Sequence, residues 1–309
     1  MRPLYIPCSD LKSGLKNLLK NGLLLVVTLI ITTLLSEVIV RQVFHPVDYL
    51  LPKTETDQFL GHRISSGSGG HDDWGFRNYS IPQKTRIVAI GDSQTYGTMA
   101  THKESWPAHL SNSLNTQVYN LALGGYGPIQ YLYLLESLAL KLEPEVVIIA
   151  LYYGNDLFDA YRAAYSNPNW ARFKNPDLSK QKVEKIAIGG GTLEYRFLGD
   201  LRGWMASNSV LYRLSTQSFL GNFVREMEFL SRDTEIIDIE LKGVRHFFSP
   251  EYRLSALDRQ SQMVQEGLRI SKAAFNEIHS LSMPHNIRLV VVAIPTKERV
   301  YEDFLIDVL

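Results

Sequence analysis

The chain has 309 residues, 45% of them hydrophobic, with 32 basic and 32 acidic side chains. That is a globular composition long enough for one large domain or two small ones, and its zero formal charge argues against broad electrostatic nucleic-acid binding. A single cysteine, Cys8, read as a plain thiol, excludes an intrachain disulfide and any multi-cysteine metal centre.

Residues 1–21 carry Arg2, Lys12, Lys16 and Lys20 and are read as a cytoplasmic N-terminus. Residues 22–40 hold one ionisable side chain, Glu37, near their far end. As a helix this stretch spans roughly 28 Å, the thickness of a bilayer core. Thr28, Thr32 and Thr33 can bond back to their own helix carbonyls, and Glu37 falls near an interface, where charge costs less. The positive flank places the N-terminus inside and the rest of the chain outside the cytoplasmic membrane, as a single-pass anchor. A cleaved signal peptide fits less well, because no alanine precedes Ala89 and an A-x-A site is therefore missing.

Residues 41–80 are read as a juxtamembrane linker, since Ser65–Gly70 has loop composition. Three adjacent residues cannot easily converge on one ion, so His71-Asp72-Asp73 is read as a solvated loop and not as metal ligands. From residue 81 strand and helix signals alternate. Strands are expected at 86–90, 117–122, 145–152 and 287–294, and helices at 106–114, 129–142 and 256–283. The last helix carries Leu257, Val264, Leu268, Phe275 and Ile278 on one stripe. Val146–Leu151 is apolar on both faces, as central strands of parallel sheets are. The alternation predicts a three-layer α/β/α fold of the flavodoxin-like kind over 81–309. Residues 164–250 break the rhythm and are read as an insertion covering one sheet edge. It has an expected hairpin at 182–197 around Gly189-Gly190-Gly191, helix over 205–231, and Trp170, Tyr195 and Trp204 as ring surfaces or core filling.

In open parallel sheets ligands bind beyond the carboxyl ends of the strands. Three polar or glycine-rich turns stand there: Gly91-Asp92-Ser93, Asn120–Gly125 and Gly154-Asn155-Asp156. A Ser93 hydroxyl near the Ser93 N–H, the Gly125 N–H and the Asn155 amide is what acyl transfer requires. Ser93 would be the nucleophile, and the three donors would hold the oxyanion. Gly91-Asp92-Ser93 alone is equally a helix cap. A phosphate-binding module is a second class that uses the same turn. A non-catalytic, membrane-anchored glycan-binding module is a third.

The segments IVAIGDSQTYG (87–97), NLALGGYG (120–127) and YGND (153–156) resemble the blocks of the SGNH (GDSL) hydrolase family, and DWGFR (73–77) looks like the lead-in of its membrane-anchored members. The likeness runs well over 74–160 and loosely over 286–298. It implies an SGNH hydrolase fold and an esterase or acyltransferase. Ser93 would be catalytic, Gly125 and Asn155 oxyanion donors, and Asp92 and Asp156 loop supports. It implies no metal or organic cofactor, and acyl-ester substrates, with acylated glycans or lipids as the expected class. The family's general base, an Asp-x-x-His, is not found. Histidines stand at 45, 62, 71, 102, 109, 246, 279 and 285, and none has an acid three residues before it. Glu277 precedes His279 by two within an expected amphipathic helix, which reads as an ordinary half-exposed helical histidine. Either the final strand and the Asp/His block lie beyond Leu309, the reading that the ending favours, or the domain has lost its base; in both cases the 309-residue chain is expected to be a poor hydrolase.

Overall fold

The runs Ile87–Gly91 and Val118–Ala122 are wholly buried, and β-branched side chains suit a strand packed on both faces. The computed structural model describes residues 8–98, 100–178, 199–217, 237–241, 244–248 and 250–305. In chain order these form α1 (Cys8–Val43), α2 (Pro46–Tyr49), β1 (Thr54–Asp57), β2 (Gly61–Ile64), β3 (Ile87–Gly91) and α3 (Ser93–Tyr96). Next come α4 (Trp106–Leu114), β4 (Val118–Ala122), α5 (Pro128–Ser137), β5 (Val146–Tyr152), α6 (Asp156–Ser166), α7 (Gly199–Asn208) and α8 (Val210–Gln217). The order closes with β6 (Ile237–Leu241), β7 (Val244–Phe248), α9 (Pro250–Ser255), α10 (Gln262–Ser282), β8 (Arg288–Ile294), α11 (Lys297–Val300) and α12 (Glu302–Leu305). The hairpin expected at 182–197, with Tyr195, and the part of the expected helix over 218–231 lie outside the described residues.

The main sheet is parallel, in the order β4-β3-β5-β8, which is the flavodoxin-like order 2-1-3-4. One face packs Val88, Ile90, Tyr119, Leu121, Val147 and Ile149 against α5, α6 and α10. The other packs Ile87, Ala89 and Val118 against Trp106 and Leu110 of α4. The expected α/β fold with a parallel sheet and helices on both faces is what the chain forms. Along α10 the buried line is Val264, Gly267, Ile270, Ala274 and Ile278, whereas Leu268 is exposed. At about 100° per residue Leu268 falls roughly a quarter-turn off that line. Gly267 sits on it because a Cβ there would lie 2.1 Å from the Leu157 carbonyl oxygen. The helix presses against the first turn of α6 with no side chain between.

Residues 41–80 are folded, not linker-like. Val47, Leu50, Leu60, Ile64 and Phe76 are buried, and β1 and β2 pair as an antiparallel hairpin. His71 and Asp72, read as a solvated loop, are each 5% exposed. Asp72 Oδ1 accepts from Trp74 N and Phe76 N, and Oδ2 accepts from the Tyr119 hydroxyl at 2.6 Å. Side-chain oxygens short enough to bond the nearby backbone fold such a segment locally, and composition alone hides that.

Within α1, Lys16–Val43 is apolar and long enough to cross a bilayer, and none of its most apolar window is buried. Thr28 and Thr32 donate to the carbonyls of Leu24 and Thr28, each at 2.8 Å. Glu37 does more than sit near an interface. Its carboxylate accepts from Val210 N, Leu211 N and Ser209 Oγ at 2.8, 3.0 and 2.8 Å, capping the orphan N–H groups at the start of α8. Arg41 donates to the Asn208 carbonyl at 2.6 Å. Within the expected insertion, α7 and α8 therefore hold the base of α1, because the acid and base at the end of α1 match the helix termini they meet. The β6–β7 hairpin packs its His246 and Phe248 rings on Tyr301. Trp170 is buried and donates to the Phe59 carbonyl at 2.8 Å, while Trp204 is exposed.

Arg77 ties the N-terminal segment to the sheet. Its guanidinium is 5% exposed and lies 2.6 Å from Asp48 Oδ1. It also donates to the carbonyls of Tyr96, Gly97 and Ala100 at 3.1, 2.6 and 2.9 Å. Asp48 further accepts from His102 N and Nδ1, both at 2.7 Å. Burial opposes its ionisation, but these donors hold Asp48 below the ordinary carboxylate range. Arg77→Ala should lower the unfolding free energy by about 3–5 kcal/mol, since it strands a buried carboxylate. Arg77→Lys should recover only part of this, because an ammonium cannot match the planar fork. Denaturant titration of the detergent-solubilised chain, followed by tryptophan fluorescence, measures both, and an unchanged midpoint in Arg77→Ala would contradict the assignment.

Candidate active site

The strand order fixes where a ligand can enter. From β3 the chain moves outward to β4, then crosses back to β5 on the other side, so the turns after β3 and β5 diverge and leave a crevice at their carboxyl ends. Ser93 follows β3 and Asn155 follows β5.

Gly91 is required for the first turn, because a Cβ there would lie 2.1 Å from Thr95 Oγ1. Asp92 caps α3, accepting from Gln94 N at 2.8 Å, and its Oδ2 accepts from the Ser93 hydroxyl at 3.2 Å. α3 is one turn long, so it offers free N–H groups and no sizeable macrodipole. Its far end is held by Asn120 Nδ2, which donates to the Thr95 carbonyl at 2.9 Å, and by Arg77.

The second turn is Leu123–Tyr126, closed by Tyr126 N donating to the Leu123 carbonyl at 3.3 Å. Gly125 has φ of +81°, the signature of position i+2 in a type II turn. The turn lies on Ser93: a Cβ on Gly124 would be 3.5 Å from Ser93 Cβ. Among the described residues no acceptor meets the Gly125 N–H. His62 Nε2 is 2.9 Å from the Gly124 carbonyl oxygen.

The third turn meets the second at Gly127, where a Cβ would be 2.9 Å from Asp159 Cβ. Asn155 directs one amide N–H to Asp159 Oδ2. Its oxygen faces Arg253 Nη1 at 3.5 Å. One expected oxyanion donor is therefore half committed, with a second amide N–H still available. Asp159 Oδ1 accepts from Arg162 at 2.7 Å. Asp156 Oδ2 accepts from Tyr152 N at 2.8 Å and lies 2.9 Å from the Tyr131 hydroxyl.

The structure thus brings Ser93 against Gly124-Gly125 and sets Asp156–Asp159 against the same loop. It brings no imidazole to Ser93. Among the described residues the Ser93 hydroxyl bonds to Asp92 alone. His279 is exposed, and its neighbour Glu277 pairs with Arg172 instead. No group of three His, Cys, Asp or Glu side chains among the described residues could hold a metal ion. Sequence reasoning missed His62, Arg77, Asn120 and Asp159. Asp159 stands one helical turn after Asn155, a spacing at which side chains meet, so the pair could have been anticipated.

Three buried carboxyls share this end of the sheet. Burial pushes Asp92 up. Burial and then the charge of Asp92 push Asp156 well above the usual range. Burial, opposed by the Arg162 guanidinium, raises Asp159 to about 7.

No family model matches the chain, and no curated protein matches it. Among solved structures it is similar to a GDSL-like lipase from Bacteroides thetaiotaomicron VPI-5482, at 12% identity and a TM-score of 0.25 over 68% of this chain and 72% of that one. It is also similar to a candidate acylhydrolase from Bacteroides fragilis NCTC 9343, at 14% identity and a TM-score of 0.24 over 74% of this chain and 88% of that one.

Asp159 makes stability depend on pH. Its folded value near 7 exceeds the ordinary 3.8, so across that interval the folded state holds a proton that the unfolded state has lost. Stability should therefore fall as pH rises from 5 to 7, by up to about 1.4 kcal/mol per pH unit for one proton. Thermal melts between pH 5 and 8 should show this slope and a shallower one in Asp159→Asn. The remaining slope has the same sign and comes from Asp92 and Asp156. Equal slopes in the two proteins would remove Asp159 as the source.

Proposed function

We propose that the chain is a membrane-anchored serine esterase or acyltransferase of the SGNH (GDSL) type, with Ser93 as nucleophile. The observation that supports this most is the Gly124-Gly125 turn beside Ser93, where a Cβ on Gly124 would lie 3.5 Å from Ser93 Cβ, with a Gly125 N–H that meets no acceptor among the described residues. A hydroxyl beside an unpaired N–H at the switch point of a parallel sheet suits acyl transfer. Ser93 Oγ attacks the ester carbonyl, forming a tetrahedral intermediate. The oxyanion is received by the Ser93 N–H, the Gly125 N–H and the second Asn155 amide N–H, each worth ~3 kcal/mol when well aimed. Collapse expels the alcohol and leaves an acyl-Ser93. Water or an acceptor hydroxyl then takes the acyl group.

Asp92 and Asp156 support this site by holding α3 and the start of α6 in place. Among the described residues the Ser93 hydroxyl bonds only to the Asp92 carboxylate, which accepts its proton, so acylation is slow. The apolar helix α1, with Lys16 and Lys20 at its N-terminal flank, anchors the domain with its N-terminus inside. The site then faces outward, where acylated glycans and lipids present ester bonds. The missing imidazole favours one second reading, a non-catalytic, membrane-anchored glycan- or phosphate-binding module.

A fluorophosphonate separates the two. The detergent-solubilised chain should take up one probe, slowly, on Ser93. Added imidazole should accelerate the labelling by substituting for the missing base, and Ser93→Ala should abolish it. No labelling with or without imidazole, together with glycan retention or phosphate binding, would establish the binding module instead.

A further inference from the structure

The peptide between Gly124 and Gly125 is the central peptide of the 123–126 turn. Types I and II differ in which way this peptide faces, and glycine at both central positions allows either. The choice decides the function of the turn. In a planar trans peptide the C=O and the N–H point in opposite directions, so flipping the peptide turns the Gly125 N–H from one side of the loop to the other.

His62 stands on one of those sides. It lies on β2 opposite Thr56, in the stretch that reads as linker. Its Nε2 is 2.9 Å from the Gly124 carbonyl oxygen, and a carbonyl only accepts, so Nε2 carries the proton. The ring is held from the far end of the same turn. The buried Tyr126 donates its hydroxyl to the His62 carbonyl at 2.8 Å, and the two rings lie 5.3 Å apart. A Cβ on Gly125 would be 3.4 Å from His62 Cε1, so the imidazole also fills the space beside this position.

We infer that His62 is a positioning residue: by donating to the Gly124 carbonyl it holds the turn in the type II form and aims the Gly125 N–H away from the hairpin, for use at Ser93. The inference rests on the reading of Ser93 as nucleophile only for its effect on rate; the orientation of the peptide stands apart from it. The donor bond also polarises the peptide and makes the Gly125 N–H a stronger donor.

Two measurements on the full chain in detergent test this. The first is the fluorophosphonate labelling rate at Ser93 without added imidazole. His62→Ala should slow it roughly 10- to 100-fold, within the effect of losing one oxyanion donor. His62→Gln, whose amide can donate from a similar position, should restore most of the rate. The second is the Gly125 amide signal in the ¹⁵N-glycine-labelled chain, identified by its loss in Gly125→Ala. This signal should move in His62→Ala and return towards its original position in His62→Gln. Labelling of His62→Ala at the unaltered rate, with an unmoved Gly125 signal, overturns the inference and leaves the nucleophile assignment intact. Failure of the unaltered chain to label at Ser93 with or without imidazole overturns the nucleophile assignment, and the amide signal then decides the role of His62 by itself.

Discussion

The guanidinium of Arg77 carries a full charge where almost no water reaches it. A buried cation persists only if its N–H groups find anions and carbonyls. Here Nη1 and Nη2 find Asp48 near the end of α1 and three carbonyls at the far end of the turn that starts with Ser93. One side chain thereby couples the segment after the apolar helix to the candidate nucleophile. Asn120 adds a second tie to the same turn from β4. With Asp92 capping the front, a helix of one turn, unstable by itself, is fixed at both ends.

The site combines such local ties with close backbone approaches. Gly124, Gly127 and Gly267 each stand where a side chain would meet a neighbouring loop or helix. These contacts bring three turns, separated by about thirty residues each, to one end of the sheet. Burial raises all three carboxyls there, and the charge of Asp92 raises Asp156 and Asp159 further. Such a cluster is a cost to stability, and functional sites are where costs of this kind collect.

At the other end, Glu37 caps the start of α8 and Arg41 meets the carbonyl of Asn208. The long apolar helix is therefore not a loose tether. Its last turns are hydrogen-bonded into helices that stand far away in the sequence, which orients the domain relative to any membrane that α1 enters.

The sequence by itself determined the four strands of the main sheet, most helix positions, the apolar span and the order of the three turns. Each rests on a local signal: periodicity, β-branching, or glycine and proline at element ends. It also placed Ser93, Gly125 and Asn155 at the ends of their strands. Only the tertiary structure decided what meets those turns. Residues 41–80 looked like linker because Ser65–Gly70 has loop composition, yet they supply Arg77, Asp72 and His62. The commitment of the Asn155 amide to Asp159, and the facing of the Gly124–Gly125 peptide, depend on partners brought together by folding. Composition and spacing report what a segment prefers alone, whereas the direction in which an N–H points is set by whatever lies on the other side of its peptide.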